Sequence, residues 1–103
     1  MILEDYKLIV TIVNKGKADK VVDISHQAGA EGGTILYGRG AAFRLLLGIS
    51  IEPEKEIVLT LIAKDKAQTV LNAIEKGLDL NEPHKGIAFV VSLDQVVGII
   101  EGF

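Results

Sequence analysis

The sequence predicts an α+β fold with the element order β-α-β-β-α-β, in which four strands form one antiparallel sheet and two helices cover one face. Four apolar runs have the length and the β-branched and aromatic content of strands. Two segments with apolar residues at helical spacing separate the first run from the second and the third from the fourth. The 103 residues suit one domain with a modest core, so we expect a single domain over residues 1–103.

Composition narrows the class of function. Hydrophobic residues make up 49% of the chain, which is high for a small domain, so we expect a subunit interface to bury the excess. The net charge of -3, without a basic block, argues against a nucleic-acid partner. The chain has no cysteine, which excludes thiol chemistry and is consistent with the cytoplasm, the location we expect. We expect no targeting leader and no direct membrane insertion, because no basic leader region and no membrane-length apolar run occurs.

The first half of the chain gives two strands and one helix. Residues 6–13 are predicted as a strand with two largely apolar faces, which is typical of a central strand covered on both sides. After a turn at 14–16, residues 17–28 show helical spacing of apolar positions, and Gly29 ends that helix. The second strand is predicted at 33–39.

The third strand is predicted at 56–63. Residues 40–53, which precede it, are too apolar for a freely solvated loop, so we expect them to pack on their own domain or on a neighbouring subunit. Glu52, Glu54 and Glu56 alternate with other residues here, and we interpret them as the solvated start of the strand.

The second helix follows directly, with Asp65 as the predicted N-cap and Gln68 as its capping-box partner. A loop at 78–85 leads into the fourth strand, predicted at 87–93. A short last strand is predicted at 97–100. This order gives the ferredoxin-like arrangement, in which the second and fourth strands are the edges of the sheet.

Both faces of the predicted sheet carry large apolar side chains, yet helices cover only one face. Homo-oligomerisation through the sheets is the simplest cover for the other face. The residues that we take to represent both faces are Ile9, Val13, Leu36, Val58, Ile62 and Val90.

Two segments combine glycine with a basic residue: Gly-Arg-Gly at 38–40, where the second strand ends, and His-Lys-Gly at 84–86, before the fourth strand. A guanidinium, an ammonium and free backbone amides suit a phosphate chain or a carboxylate. The two segments belong to opposite edge strands, so we expect them to meet across a subunit boundary rather than within one chain. Solvated loop positions are the competing interpretation for both.

No pattern of catalytic residues occurs. The sequence lacks a nucleophile elbow, a helical H-E-x-x-H and an acid–base pair. His26 and His84 have no acidic cluster near them in the sequence, so we read them as surface and loop residues rather than metal ligands. We therefore expect a binding protein that is not an enzyme and holds no metal.

The element order, the segment GGTILYGRG at 32–40 and the segment KGIAFV at 85–90 together resemble the PII signal-transduction family, most closely its shorter PII-like branch. The resemblance covers residues 6–100. It implies a cytoplasmic homotrimer with inward-facing sheets and ligand clefts between subunits. An adenine nucleotide (AMP, ADP or ATP) would occupy each cleft, at times with a 2-oxo acid or another small anion. The loop after the second strand, the T-loop at 41–48, would contact a regulated enzyme or membrane transporter.

The same resemblance assigns residues by position. The implied ligand-binding residues are Gly33, Thr34, Gly38, Arg39 and Gly40 at the base of the T-loop and Lys85, Gly86 and Ile87 in the opposing loop. The implied partner-binding residues, in the T-loop, are Ala41, Ala42, Phe43 and Arg44.

The chain departs from the family pattern in four places. Gly40 replaces a glutamine, and the short T-loop at 41–48 has no tyrosine, so uridylylation is not expected. Residues 81–84 stand where the family has a glycine-rich stretch that includes an aspartate. The family also has arginines near its last strand, and residues 97–103 contain none. Because the chain has fewer phosphate-binding groups than the family pattern, we consider AMP, ADP and a non-nucleotide anion as ligands in addition to ATP.

Other functions on this topology stay open. One is a trimeric structural or metal-tolerance-type protein without nucleotide binding. Another is a small acylphosphatase-like enzyme, although the turn at 14–17 lacks the arginine that such a phosphate cradle needs. An RNA-binding domain is disfavoured, because the central strands lack stacking aromatics and the net charge is negative.

Overall fold

A computed structural model describes residues 2–3, 5–41, 45–46, 49–50 and 54–98. It confirms the predicted fold class, with two helices and a four-stranded antiparallel sheet of order β3-β6-β2-β7. Two small sheets pair β1 with β8 and β4 with β5. The elements are β1 Ile2–Leu3, β2 Tyr6–Asn14, α1 Ala18–Gln27, β3 Thr34–Arg39, β4 Leu45–Leu46, β5 Ile49–Ser50, β6 Glu54–Ala63, α2 Lys64–Gly77, β7 Gly86–Ser92 and β8 Val96–Val97.

One face of the main sheet packs on the helices. Alternate residues of β2 and β6, such as Ile9 and Val58, are fully buried there. The helices meet them with apolar residues at helical spacing, for example Val70 and Ile74 of α2. Fully burying such a side chain contributes about 1.5–3 kcal/mol, so this layer is the core of the fold.

The other face carries no helix and is apolar, as predicted. On this face, apolar side chains of neighbouring strands lie opposite each other, for example in the antiparallel pairs Leu36↔Ile57 and Val10↔Phe89. Ile87 is 58% exposed and Phe89 is 43% exposed in the single chain. We call this surface the open face. It comprises Leu8, Val10, Ile12, Leu36, Ile57, Leu59, Leu61, Ile87, Phe89 and Val91.

The residues named above for the two faces need one correction. Of the six, Leu36 alone lies on the open face. The others lie on the helix side, since they are buried in the core or packed against it: Ile9, Val13, Val58, Ile62 and Val90. The prediction of an apolar second face was nevertheless right, because the residues between these positions on β2, β6 and β7 are apolar too.

Helix α1 ends as predicted, in a Schellman motif around Gly29. Gly29 has φ +121°, which a residue with a side chain rarely adopts. The Gly29 amide donates to the His26 carbonyl, and the Ala30 amide donates to the Ser25 carbonyl. Two carbonyls at the end of the helix are thereby satisfied.

Helix α2 begins differently from the prediction. Ala63 is its N-cap, in an extended conformation and without a side-chain cap, so Asp65 does not cap the helix. Gln68 donates to Asn72 Oδ1 at 2.8 Å instead of closing a capping box. Because β6 runs directly into α2, the Lys64 amide is satisfied by the Asp5 carbonyl from outside the helix.

Other differences concern strand limits. β6 begins at Glu54, two residues earlier than predicted, and β7 covers Gly86–Ser92. The last strand is limited to Val96–Val97 among the described residues and pairs with β1, which was not predicted. The apolar segment at 40–53 contains the paired strands β4 and β5, and the expectation that its side chains pack lies outside the described residues.

Candidate anion-binding site

The two glycine-plus-base segments lie at the same end of the sheet but on opposite edges. Arg39, the last residue of β3, pairs with Glu54, and Gly86, the first residue of β7, pairs with Val13. β6 and β2 lie between the two edge strands. Three strand spacings separate them, about 14 Å. One chain therefore does not bring Arg39 and Lys85 together.

The β3 edge carries an open groove of about 570 Å³. Tyr37 and Arg39 line it from β3, and Lys15, Glu54 and Lys55 line it from the neighbouring turn and strand. Tyr37 is 79% exposed, the highest value among the exposed large hydrophobic residues described.

An exposed ion pair also borders this groove. Lys15 Nζ lies 2.8 Å from Glu54 Oε2. The hydrogen bond to Glu54 and its negative charge raise the pKa of Lys15 above its ordinary value. The hydrogen bond from Lys15 and its positive charge lower the pKa of Glu54.

The β7 edge carries a second, smaller pocket of about 300 Å³ beside the loop that precedes β7. Lys17 at the N-cap of α1, Lys20 in α1 and Lys85 in the loop all line it. Asp79 lines it as well. Three ammonium groups beside one carboxylate make this region locally positive in a chain whose net charge is negative. Such a region favours anions.

The backbone conformation at position 86 and the close approach of β2 require a glycine there. Its φ is +137°, and a Cβ built on it would lie 2.5 Å from the Ile12 carbonyl oxygen. A Cβ on Gly38 would lie 3.2 Å from Ile57 Cδ1, and one on Gly33 would lie 3.3 Å from Val58 Cγ1. Close packing in the sheet therefore accounts for a part of the glycine pattern that the sequence presents as a ligand site.

The remaining predicted site residues lie at the sheet end or on its open face. Thr34 is exposed, Gly40 is half-buried, and Ile87 projects from the open face. Among the predicted partner-binding residues, Ala41 is described and exposed. The others lie outside the described residues: Ala42, Phe43 and Arg44. Ligand and partner binding by all of these residues stays a prediction.

Glu56 has a role that the sequence reading missed. It is 9% exposed, and its Oε1 accepts hydrogen bonds from the Gly16 amide at 2.8 Å and the Ala18 amide at 2.9 Å. Helix α1 has no side-chain cap from Lys17, its N-cap residue, so Glu56 satisfies the helix start from β6. The interpretation of Glu56 as a solvated strand start was therefore wrong. Its alternation with Val58 was the signal that it faces inward.

Asn14 and Lys55 also were not predicted as site residues. Lys55 Nζ donates to Asn14 Oδ1 at 2.7 Å. Asn14 Nδ2 donates to the His84 carbonyl at 3.0 Å. These two contacts join the strands at the centre of the sheet end to the loop that carries Lys85.

The described part of the chain contains no group of three or more His, Asp or Glu residues that could hold a metal ion. His26 Nδ1 lies 3.0 Å from the Ala30 carbonyl, at the end of α1. Neither of the two described helices has the length and apolar character that crossing a membrane requires.

Comparison with known proteins gives a family and a fold. The family model described as nitrogen regulatory protein P-II matches residues 6–102. The crystal structure of Arabidopsis thaliana PII bound to citrate aligns with a TM-score of 0.73 and 22% identity, over 93% of this chain and 84% of that chain. No functionally curated protein matches the sequence.

A second solved structure shares the fold. A Bacillus cereus protein related to NIF3 aligns with a TM-score of 0.68 and 21% identity. The alignment covers 88% of this chain but 26% of that protein.

Proposed function

Because the chain belongs to the nitrogen regulatory protein P-II family, we propose that it is a regulatory homotrimer that binds a small anion in clefts between subunits. An adenine nucleotide is the first ligand that we propose. The protein would act by binding a partner, not by catalysis. The observation that carries the proposal is that two anion-suited segments lie at one end of the sheet on opposite edges.

The open face supports the assembly. Its apolar rows leave Ile87 and Phe89 about half exposed in a single chain. Large contiguous apolar patches on a soluble domain mark an interaction surface. Further copies of the same chain cover such a face in a symmetric oligomer, because every subunit contributes the same patch.

The position of the basic residues supports a cleft between subunits. In one chain, Arg39 and Lys85 lie on opposite edges of the sheet, and each lines a different pocket. In a closed ring, the β3 edge of one subunit can face the β7 edge of the next. A guanidinium from one chain and an ammonium from its neighbour would then hold the ligand from two sides.

The ligand class follows from the same groups. Adenine nucleotides supply phosphates, and AMP and ADP need fewer cationic partners than ATP. The PII of Arabidopsis was crystallised with citrate, so a small polycarboxylate belongs among the ligands to test.

Regulation would use the segment that follows β3. A ligand that binds one conformation of this segment better than another shifts the balance between them. The affinity for a partner enzyme or membrane transporter would then depend on ligand concentration. Residues 41–44 are the predicted start of this contact.

Calorimetric titration with AMP, ADP, ATP and citrate, each with and without magnesium and bicarbonate, tests the ligand class. Arg39→Ala and Lys85→Ala should each weaken binding by about 1.5–3 kcal/mol, since each removes a hydrogen bond to a charged group. Light scattering of the same samples should give the mass of a trimer. A monomer that binds none of these ligands would contradict the proposal.

Mixed trimers test the position of the cleft directly. Arg39→Ala and Lys85→Ala subunits, unfolded together in equal amounts and refolded, should regain about a quarter of the binding sites, because random assortment pairs one intact Arg39 with one intact Lys85 in that fraction of interfaces. If both residues served one intrachain site, mixing would restore none.

A further inference from the structure

A chain of two hydrogen bonds crosses the end of the sheet at Asn14. The Lys55 ammonium, near the start of β6, donates to Asn14 Oδ1 at 2.7 Å. The Asn14 amide nitrogen, at the end of β2, donates to the His84 carbonyl at 3.0 Å. One planar side chain therefore connects β6, β2 and the loop before β7.

The orientation of the Asn14 amide is determined by its two partners. The ammonium has only donors, so it must meet the amide oxygen, and the carbonyl has only lone pairs, so it must meet the amide nitrogen. A rotated amide would place like groups against each other on both sides. The charge of Lys55 also polarises the amide and strengthens the hydrogen bond that it donates to His84.

The loop that receives this hydrogen bond has an uncommon backbone. His84 has φ +66°, in the left-handed region that a residue with a side chain enters at a cost. Gly86 has φ +137°. Lys85 lies between these two residues, so the direction of its side chain depends on a turn that His84 must hold.

We infer that Asn14 is a positioning residue for Lys85 and that Lys55 sets the orientation of Asn14. This inference rests on the proposed anion site, in which Lys85 contacts the ligand. It also links, within one chain, the two segments that the proposed function assigns to neighbouring clefts, because Lys55 is the register partner of Gly38 on the β3 edge. The His84 carbonyl is the atom through which Asn14 acts.

Asn14→Asp separates the two contacts. An aspartate still accepts from Lys55 but has no donor for the His84 carbonyl. Lys7→Met is the matched control, because Lys7 Nζ donates to Ser92 Oγ at 3.2 Å between the same strands β2 and β7, away from the loop. Each protein is measured for ADP affinity by calorimetry, for amide hydrogen exchange at residues 84–86 and for thermal unfolding.

We expect Asn14→Asp to weaken ADP binding about tenfold, the equivalent of one ordinary hydrogen bond, and to speed exchange at residues 84–86. Lys7→Met should change neither quantity. An Asn14→Asp protein with wild-type ADP affinity and wild-type exchange at these residues would overturn the inference.

A rescue variant distinguishes positioning from the added negative charge. Glycine adopts positive φ without steric cost, so His84→Gly should make the turn less dependent on the hydrogen bond from Asn14. The Asn14→Asp/His84→Gly protein should recover ADP affinity to within about threefold of the wild type. If repulsion by the new carboxylate caused the loss, the second substitution would not restore binding, and the inference would fail.

The exchange measurement keeps the inference separate from the proposed function. If the wild type binds no ADP, the nucleotide proposal fails, yet faster exchange in Asn14→Asp than in Lys7→Met would still support the positioning role, and equal exchange would refute it. If Asn14→Asp does not fold, hydrogen exchange at residues 84–86 in Lys55→Met carries the test, since this variant removes the ammonium and leaves Asn14 in place. ADP affinity is not the readout for this variant, because Lys55 also lines the β3 groove.

Discussion

The two faces of the main sheet are built from the same kinds of side chain, and they differ in what lies against them. On β2, Ile9 is fully buried under the helices, whereas Ile12 is half-buried on the open face. The helices of this chain complete one hydrophobic layer and leave the other to be covered from outside. The stability of the fold and the formation of the proposed assembly can therefore be tested separately, by substitutions a few positions apart on one strand.

Charge on the open face is the strongest test of this separation. Phe89→Glu should abolish the trimer, because each subunit would carry a carboxylate into an apolar interface without a partner. Light scattering measures the mass, and circular dichroism should show a retained fold. Thr69→Glu is the control, since Thr69 is exposed on α2, on the side of the sheet opposite the open face. A trimer that survives Phe89→Glu would show that the open face is not the interface.

Two isoleucine-to-alanine substitutions, one on each face of β2, compare how much the two faces contribute to the free energy of unfolding. Ile9→Ala should lower the free energy of unfolding by about 2–5 kcal/mol, since it opens a cavity in the helix-side core. Ile12→Ala should cost less in a dissociated chain and approach the same cost in the proposed trimer, where its face would be covered. Denaturant unfolding at several protein concentrations measures both, because unfolding of an obligate oligomer depends on concentration. If Ile9→Ala and Ile12→Ala lower the free energy of unfolding equally at every protein concentration, the two faces do not differ as we expect.

Two glutamates at the start of β6 also differ in burial, and we expect a smaller difference in their effect on stability. Glu56→Ala should cost about 1–3 kcal/mol, because the Gly16 and Ala18 amides lose a buried acceptor. Glu54→Ala should change stability little, since its ion pair with Lys15 is exposed. Denaturant unfolding of the two proteins under one condition provides the measurement. A larger loss in Glu54→Ala than in Glu56→Ala would contradict the assigned roles.

The pattern of the sequence was sufficient for the fold and for the two-faced sheet. Alternation with period two and helical spacing gave the four long strands and both helices, since each element must bury one side. The strands β1 and β8 have two residues each and carry no period, so no local pattern could reveal them.

The site was predicted less completely for a physical reason. Arg39 and Lys85 could be proposed as site residues from the sequence because their residue types and glycine neighbours are local features. Asn14 and Lys55 were missed because their contacts join residues 70 and 41 positions apart, and neither residue type is unusual where it stands. The role of Glu56 was missed although its alternation with Val58 was visible in the sequence. Glutamates at the alternate positions 52, 54 and 56 suggested a solvated start of the strand.

Buried hydroxyls on the helix side give a further, smaller test. The Thr11 and Thr60 hydroxyls are buried, and neither has a hydrogen-bond partner among the described residues. Thr60→Val replaces the hydroxyl with a methyl of similar shape, so the free energy of unfolding should stay level or rise by up to about 1 kcal/mol. Denaturant unfolding of Thr60→Val and Thr11→Val measures this. A loss of several kcal/mol in either protein would mean that the hydroxyl has a partner in solution.

The smallest effect is expected from the Lys15–Glu54 ion pair, and its sign depends on pH. The pKa of Glu54 is lowered from its ordinary value of 4.5 by Lys15, so its contribution is present at neutral pH and is lost as the pH falls below 4.5 and through the lowered pKa. The pKa of Lys15 is raised from its ordinary value of 10.5 by Glu54, so its contribution is present at neutral pH and is lost as the pH rises above 10.5 and through the raised pKa. Thermal unfolding of the wild type and of Lys15→Ala should therefore differ slightly near pH 7 and converge at both extremes. High salt should shrink the difference at pH 7, because both groups are exposed to solvent. A difference that grows at acid pH would show that Lys15 acts through a contact other than its ion pair with Glu54.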